Sequence, residues 1–170
     1  MTKKNRDFKQ IRVFLSSTFI DMQEERDALV KLFRRLALEG RKKNVIITLL
    51  DLRWGITDNQ KRNGQVISTC LQEIDNSRPF FIGLIGERYG WIPSSGELEG
   101  NPELLSRFPE ISKYSGKRLS ITEIEMRHGV LDTMRTQRAI FLIKKGMHPE
   151  SEQHEKLIYD INKSGNAELF

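Results

Sequence analysis

Four short apolar runs recur along the chain, Arg12–Ser16, Val45–Leu50, Phe80–Ile85 and Ala139–Ile143, and a helical segment follows each of them. That alternation admits few folds. A run that is apolar throughout suits a strand buried on both faces, and strands separated by whole helices pair in parallel. The segments between them carry the helical period. Met22–Leu38 places Leu29, Leu32, Phe33 and Leu36 at helical spacing, with Gly40 as the expected terminator, and Gln65–Asn76 lines up Val66, Cys70, Leu71 and Ile74. Thr122–Met134 carries Ile124, His128 and Leu131, and Glu152–Asn162 carries Leu157, Ile158 and Ile161. Right-handed crossovers then leave a flavodoxin-like, three-layer α/β/α domain with a parallel sheet of four to five strands. No fifth run is visible. Residues 11–162 are therefore expected to form the domain, residues 1–10 a flexible lead-in, and residues 163–170 a linker or truncated edge toward further modules.

Ligands of open α/β sheets sit outside the carboxyl ends of the strands. The first run ends in Ser16-Ser17-Thr18-Phe19, and a helix should start just beyond, with Asp21 as cap and Glu24 completing a capping box. Three further segments reach the same rim: Asp51-Leu52-Arg53-Trp54-Gly55, Gly86-Glu87-Arg88-Tyr89-Gly90-Trp91, and the helix opened by Ser120 or Thr122. Hydroxyls from Ser16, Ser17, Thr18 and Ser120, cations from Arg53 and Arg88, and rings from Phe19, Trp54, Tyr89 and Trp91 suit a ligand with phosphates and flat rings. The stretch from Glu87 to Leu119 lacks a period and should hang over this edge as a long functional or partly helical loop.

Several classes of function are disfavoured. At 38% hydrophobic and 30% charged residues the composition is that of an ordinary globular domain. No apolar run approaches the roughly 18–20 residues of a membrane span, and no secretion signal opens the chain. A single cysteine, Cys70, excludes a disulfide framework and points to a reducing, cytoplasmic setting. The net charge of +5 is spread over short groups at helix ends and loops, without the interleaved aromatics of an RNA-binding sheet, so nucleic acid is not the expected partner. Neither phosphate-binding glycine fingerprint is present. His128, His148 and His154 lack metal-ligand spacing, and no nucleophile elbow exists.

Two acids remain, Glu123 and Glu125, in the first turns of the helix that opens at Ser120-Ile121-Thr122. Taken with Val13-Phe14-Leu15-Ser16-Ser17-Thr18-Phe19, Asp21-Met22, Glu25-Arg26, Asp51-Leu52-Arg53-Trp54-Gly55-Ile56-Thr57, Cys70-Leu71, Glu73-Ile74 and Phe81-Ile82-Gly83-Leu84-Ile85-Gly86 followed by Arg88-Tyr89-Gly90-Trp91-Ile92-Pro93, they resemble a known family. This is the TIR-like N-terminal domain of NACHT- and NLR-like proteins of the telomerase-component and nephrocystin types. The resemblance implies a place ahead of a signalling NTPase and a repeat array, with roles in innate immunity or anti-phage defence. TIR domains are flavodoxin-like, and some cleave NAD at the nicotinamide–ribose bond with one glutamate early in the helix before the fourth strand. Carried over, that residue is Glu125, with Glu123 second, and Ser16, Ser17 and Thr18 would meet the dinucleotide. The tryptophan that usually precedes the TIR glutamate is replaced here by Ile121-Thr122. What the resemblance implies is NAD as substrate, no separate cofactor, and self-association through the parent protein. A non-catalytic homotypic interaction module is the alternative from another class, and RNA binding a third.

Overall fold

The computed structural model describes residues 8–52, 65–133 and 137–169. Five strands form one sheet, β1 (Lys9–Ser16), β2 (Val45–Leu50), β3 (Phe80–Ile85), β4 (Arg138–Ile143) and β5 (Ala167–Leu169), in the order β2-β1-β3-β4-β5. Every neighbouring pair is parallel, and the fold is flavodoxin-like. Among the described residues the helices are α1 (Gln23–Lys42), α2 (Gln65–Ser77), α3 (Ser95–Leu98), α4 (Pro102–Arg107), α5 (Ile121–Met126) and α6 (Glu152–Lys163). A 3-10 helix spans Pro109–Tyr114, and a π turn, Arg127–Leu131, extends α5.

Side chains alternate across the sheet and build two cores. Phe14, Phe81 and Phe141 face Ile67, Leu71 and Ile74 of α2, Ile124 of α5, and Leu157 and Ile161 of α6. On the other face Leu15 and Leu84 pack with Met22, just before α1, and with Leu29 of α1. The chain passes from β1 to β2 in one direction, then returns across β1 to β3. The carboxyl ends of β1 and β3 are therefore neighbours whose loops diverge, which opens a crevice between them.

Several boundaries differ from those expected. β5 lies within residues 163–170, the expected linker or truncated edge, and is not visible in the sequence because three residues are too few to show a period. At the other end β1 begins at Lys9, so Lys9 and Gln10 belong to the sheet rather than to a lead-in; residues 1–7 fall outside the described residues. Gly40 does not end α1. It is buried inside the helix, where a Cβ would lie 2.8 Å from the Val45 carbonyl oxygen, so it is a contact point between α1 and β2. The helix stops instead at Lys43 and Asn44, whose φ of 56° is the left-handed turn that Asn tolerates.

The Asp21–Glu24 capping box is not formed. Met22 is the cap residue and makes no side-chain cap bond, because Asp21 is committed elsewhere, accepting from Thr18 Oγ1 at 2.5 Å and from the Arg88 N–H at 3.0 Å. The stretch Glu87–Leu119 is largely folded into α3, α4 and the 3-10 helix, and buries Leu98, Leu104, Phe108, Ile111 and Tyr114 in the larger core. Only its start, from Arg88 to Trp91, reaches the crevice. Among the described residues no helix is long and apolar enough to cross a membrane.

Candidate functional site

A cavity of about 430 Å³ lies in that crevice, in the size range of small-molecule sites. Its walls come from the turn after β1, the first turns of α1 and α5, α2 and the loop after β3. Ser17, Thr18 and Phe19 line it, as do Arg88, Trp91, Thr122 and Glu125. Ser16 stands directly behind this wall. It pairs with Gly83 across the β1–β3 ladder and shares a sheet face with Phe14, so its hydroxyl points toward α5.

That hydroxyl donates to Glu125 Oε2 at 2.6 Å. α5 is buried nearly all round, with Ile124 and Met126 fully enclosed, so each of its acids needs an internal partner. Glu125, 9% exposed, takes Ser16 and the Cys70 thiol. Burial pushes the Glu125 carboxyl above its ordinary range; the bonds from Ser16 and Cys70 and the nearby Arg26 charge oppose that rise. Burial also holds the Cys70 thiol well up, and the facing Glu125 adds to it, so Cys70 is no thiolate nucleophile.

Glu123 belongs to a different neighbourhood. Its Oε1 accepts from Arg127 Nε at 2.6 Å and its other oxygen from the Tyr89 hydroxyl, and it borders a separate hollow with Asp132 and Asp160. Burial and Glu123 hold the Tyr89 phenol above its ordinary range. Tyr89 and Ser120 are therefore buried supports rather than cavity wall. Ser120 caps α5, accepting from the Glu123 N–H at 3.2 Å, and the Tyr89 N–H donates to Glu150 at 2.6 Å. Arg53 and Trp54 lie outside the described residues.

Arg26 is the site residue that sequence reasoning passed over. It is 1% exposed, in the cavity wall. One terminal nitrogen donates to the Ser17 carbonyl at 3.1 Å and to the Ser17 hydroxyl; the other pairs with Asp51 Oδ1 at 2.6 Å. Its guanidinium covers the Phe19 ring, 4.8 Å from the centroid. One buried cation thus ties the turn after β1 to the end of β2. The signal was available: Arg26 follows Met22 by four residues and precedes Leu29 by three, which puts it on the core stripe of α1.

Comparison with known proteins identifies a family for the chain. Residues 12–168 match the model of the family described as "Domain of unknown function (DUF4062)". A TPR repeat-containing protein of Dictyostelium discoideum is 37% identical over 131 residues, covering 70% of this chain and 8% of the relative. Telomerase protein component 1 of Mus musculus is 39% identical over 121 residues, covering 70% of this chain and 4% of the relative. NACHT and WD repeat domain-containing protein 2 of Mus musculus is 31% identical over 102 residues, 55% of this chain and 6% of the relative. The chain thus spans less than a tenth of the length of the curated relatives it matches. No solved structure gives a significant match. With the family model matching nearly the whole sheet-forming chain, this protein belongs to the DUF4062 family.

Proposed function

We propose that the chain is a TIR-like signalling module of a NACHT- or TPR-type protein and cleaves NAD at the nicotinamide–ribose bond when oligomerised, with Glu125 as the catalytic carboxylate. The observation that supports this is the bond between Ser16 and Glu125, an acid and a hydroxyl from distant parts of the chain meeting at a cavity in the β1–β3 crevice. Cleavage breaks the C1′–N bond and returns its electron pair to the pyridinium nitrogen, so nicotinamide leaves neutral and needs no acid. The ribose becomes oxocarbenium-like at C1′. Ionised Glu125 accepts from the ribose hydroxyls and stabilises that positive charge where it develops. Water then adds to C1′ and loses a proton, giving ADP-ribose, nicotinamide and one proton. A cationic ring beside Glu125 also favours the ionised carboxylate against the effect of burial.

Nicotinamide release from NAD by the full-length, clustered protein tests the reading. Glu125→Gln should lower the rate by about a hundredfold, the scale of losing one preorganised electrostatic group. Equal release by variant and unmutated protein would falsify the assignment.

A second reading, a non-catalytic interaction module in a signalling scaffold, draws support from Glu125 being already satisfied by Ser16 and Cys70 within the protein. Absence of turnover even in the assembled state would select it.

A further inference from the structure

Phe19, Ile20 and Trp91 are 45%, 67% and 48% exposed, and all three line the same cavity. Large apolar side chains scattered singly over a surface need no explanation, but these share one mouth. Two of them are flat rings on fixed supports. The Phe19 ring is backed by the Arg26 guanidinium, itself locked to Ser17 and Asp51. Trp91 is held through its backbone, its carbonyl accepting from the Ile121 N–H at 2.9 Å at the start of α5. Beside it Gly90, at φ +101°, sits so close that a Cβ would lie 3.0 Å from Thr122 Oγ1 and 3.2 Å from Thr18 Cγ2. The loop after β3 is thereby pressed onto the turn after β1. Aromatic side chains with only two torsions, carried on a fixed backbone, lose little freedom when a flat partner stacks on them. Arg88, exposed on the same wall, offers a cation to a phosphate, and its backbone is pinned by Asp21.

The two ends of the cavity therefore differ, with an acid enclosed at the floor and two aromatic faces open at the mouth. We propose that Phe19 and Trp91 stack the distal base of a dinucleotide whose reacting end lies at Glu125, so that the site selects adenine-bearing dinucleotides over mononucleotides. The identity of the reacting end rests on the NAD-cleavage reading; the stacking of the distal base does not require turnover.

Calorimetric binding to the full-length protein separates the two. The probes are ADP-ribose, which carries the adenine but has no bond to cleave, and ribose 5-phosphate, which lacks the base. Trp91→Ala and Phe19→Ala should each weaken ADP-ribose by about tenfold, within the range of one base–aromatic stack, and leave ribose 5-phosphate unchanged. Trp91→Phe should restore most of the loss. Unchanged ADP-ribose affinity in both alanine variants overturns the proposal, as does failure of the unmutated protein to bind ADP-ribose. So does an equal loss of both probes, which would make the rings structural. If Trp91→Ala abolishes self-association and spares ADP-ribose, the mouth is a protein contact and the proposal fails. If binding depends on the rings but NAD is not cleaved, the stacking site stands and the catalytic reading alone falls.

Discussion

Glu125 acts in opposite directions on folding and on chemistry. An unfolded glutamate gives up its proton near 4.5, whereas the folded carboxyl is held above that value because burial penalises its charge, a rise only partly offset by Ser16, Cys70 and Arg26. The folded chain therefore binds this proton more tightly than the unfolded chain. Its contribution to stability is complete below pH 4.5 and is lost as pH rises through the folded pKa. Glu125→Gln keeps an oxygen for the Ser16 hydroxyl and removes the titration. The difference in melting temperature, variant minus unmutated protein, should grow between about pH 4 and pH 8, measured by thermal denaturation; other titrating groups, such as His128 and His154, cancel in the comparison. A difference that stays flat would show that Glu125 ionises as readily in the fold as in the free chain. The same variant is thus expected to be steadier and less active at neutral pH, as when a functional group is held in an unfavourable environment. That Ser16 and Glu125 would lie at one rim was legible, Ser16 from its strand end and Glu125 from the family resemblance. Arg26 was not, since an arginine on a helix reads as surface unless its place on the apolar stripe is weighed.

The π turn shows how closely the elements around the site are fitted. Gly129 lies within it, and a Cβ there would come 2.6 Å from Cε2 and 2.8 Å from Cδ2 of Phe81. Phe81 cannot yield, because its ring is stacked on Phe14 at 5.7 Å and tilted against Phe141 at 5.9 Å. The turn is also tied to the residue that follows α2: Arg78 donates to the carbonyls of His128 and Gly129 at 3.1 and 3.3 Å. Gly129→Ala should therefore destabilise the chain by about 1–3 kcal/mol through overpacking, read as a lower urea midpoint at constant slope. An unchanged midpoint would mean that the turn shifts freely. Because α5 runs straight into this turn, the variant should also disturb Glu125. The strands β1 to β4 were readable as short continuous apolar runs, and four of the helices from their period. The helices between β3 and α5 were not, because pieces of four to six residues carry no period. Asp21 misled for a different reason: its side chain bridges two loops instead of serving its own helix, and only tertiary structure decides between those uses.

In two relatives the matching segment occupies under a tenth of the length. Modules carried on one assembly meet at effective concentrations of about millimolar, far above those of free proteins in a cell. If the module is switched by assembly, as proposed, its cleavage rate per copy depends on that concentration and not on NAD affinity alone. The chain fused to an oligomerising scaffold should release nicotinamide more than about tenfold faster per copy than the unfused chain at the same total concentration, since proximity raises the paired fraction by mass action. The unfused chain should show a rate per copy that climbs with its own concentration and levels off at the value of the fusion. Glu125→Gln in the fused form should remove the gain, which ties it to the carboxylate rather than to a contaminant. Equal rates per copy in the fused and free states would leave Glu125 chemistry standing and remove assembly as its trigger. The control would then lie in access to the cavity, where the turn after β1 and the loop after β3 meet at Thr18 and Gly90.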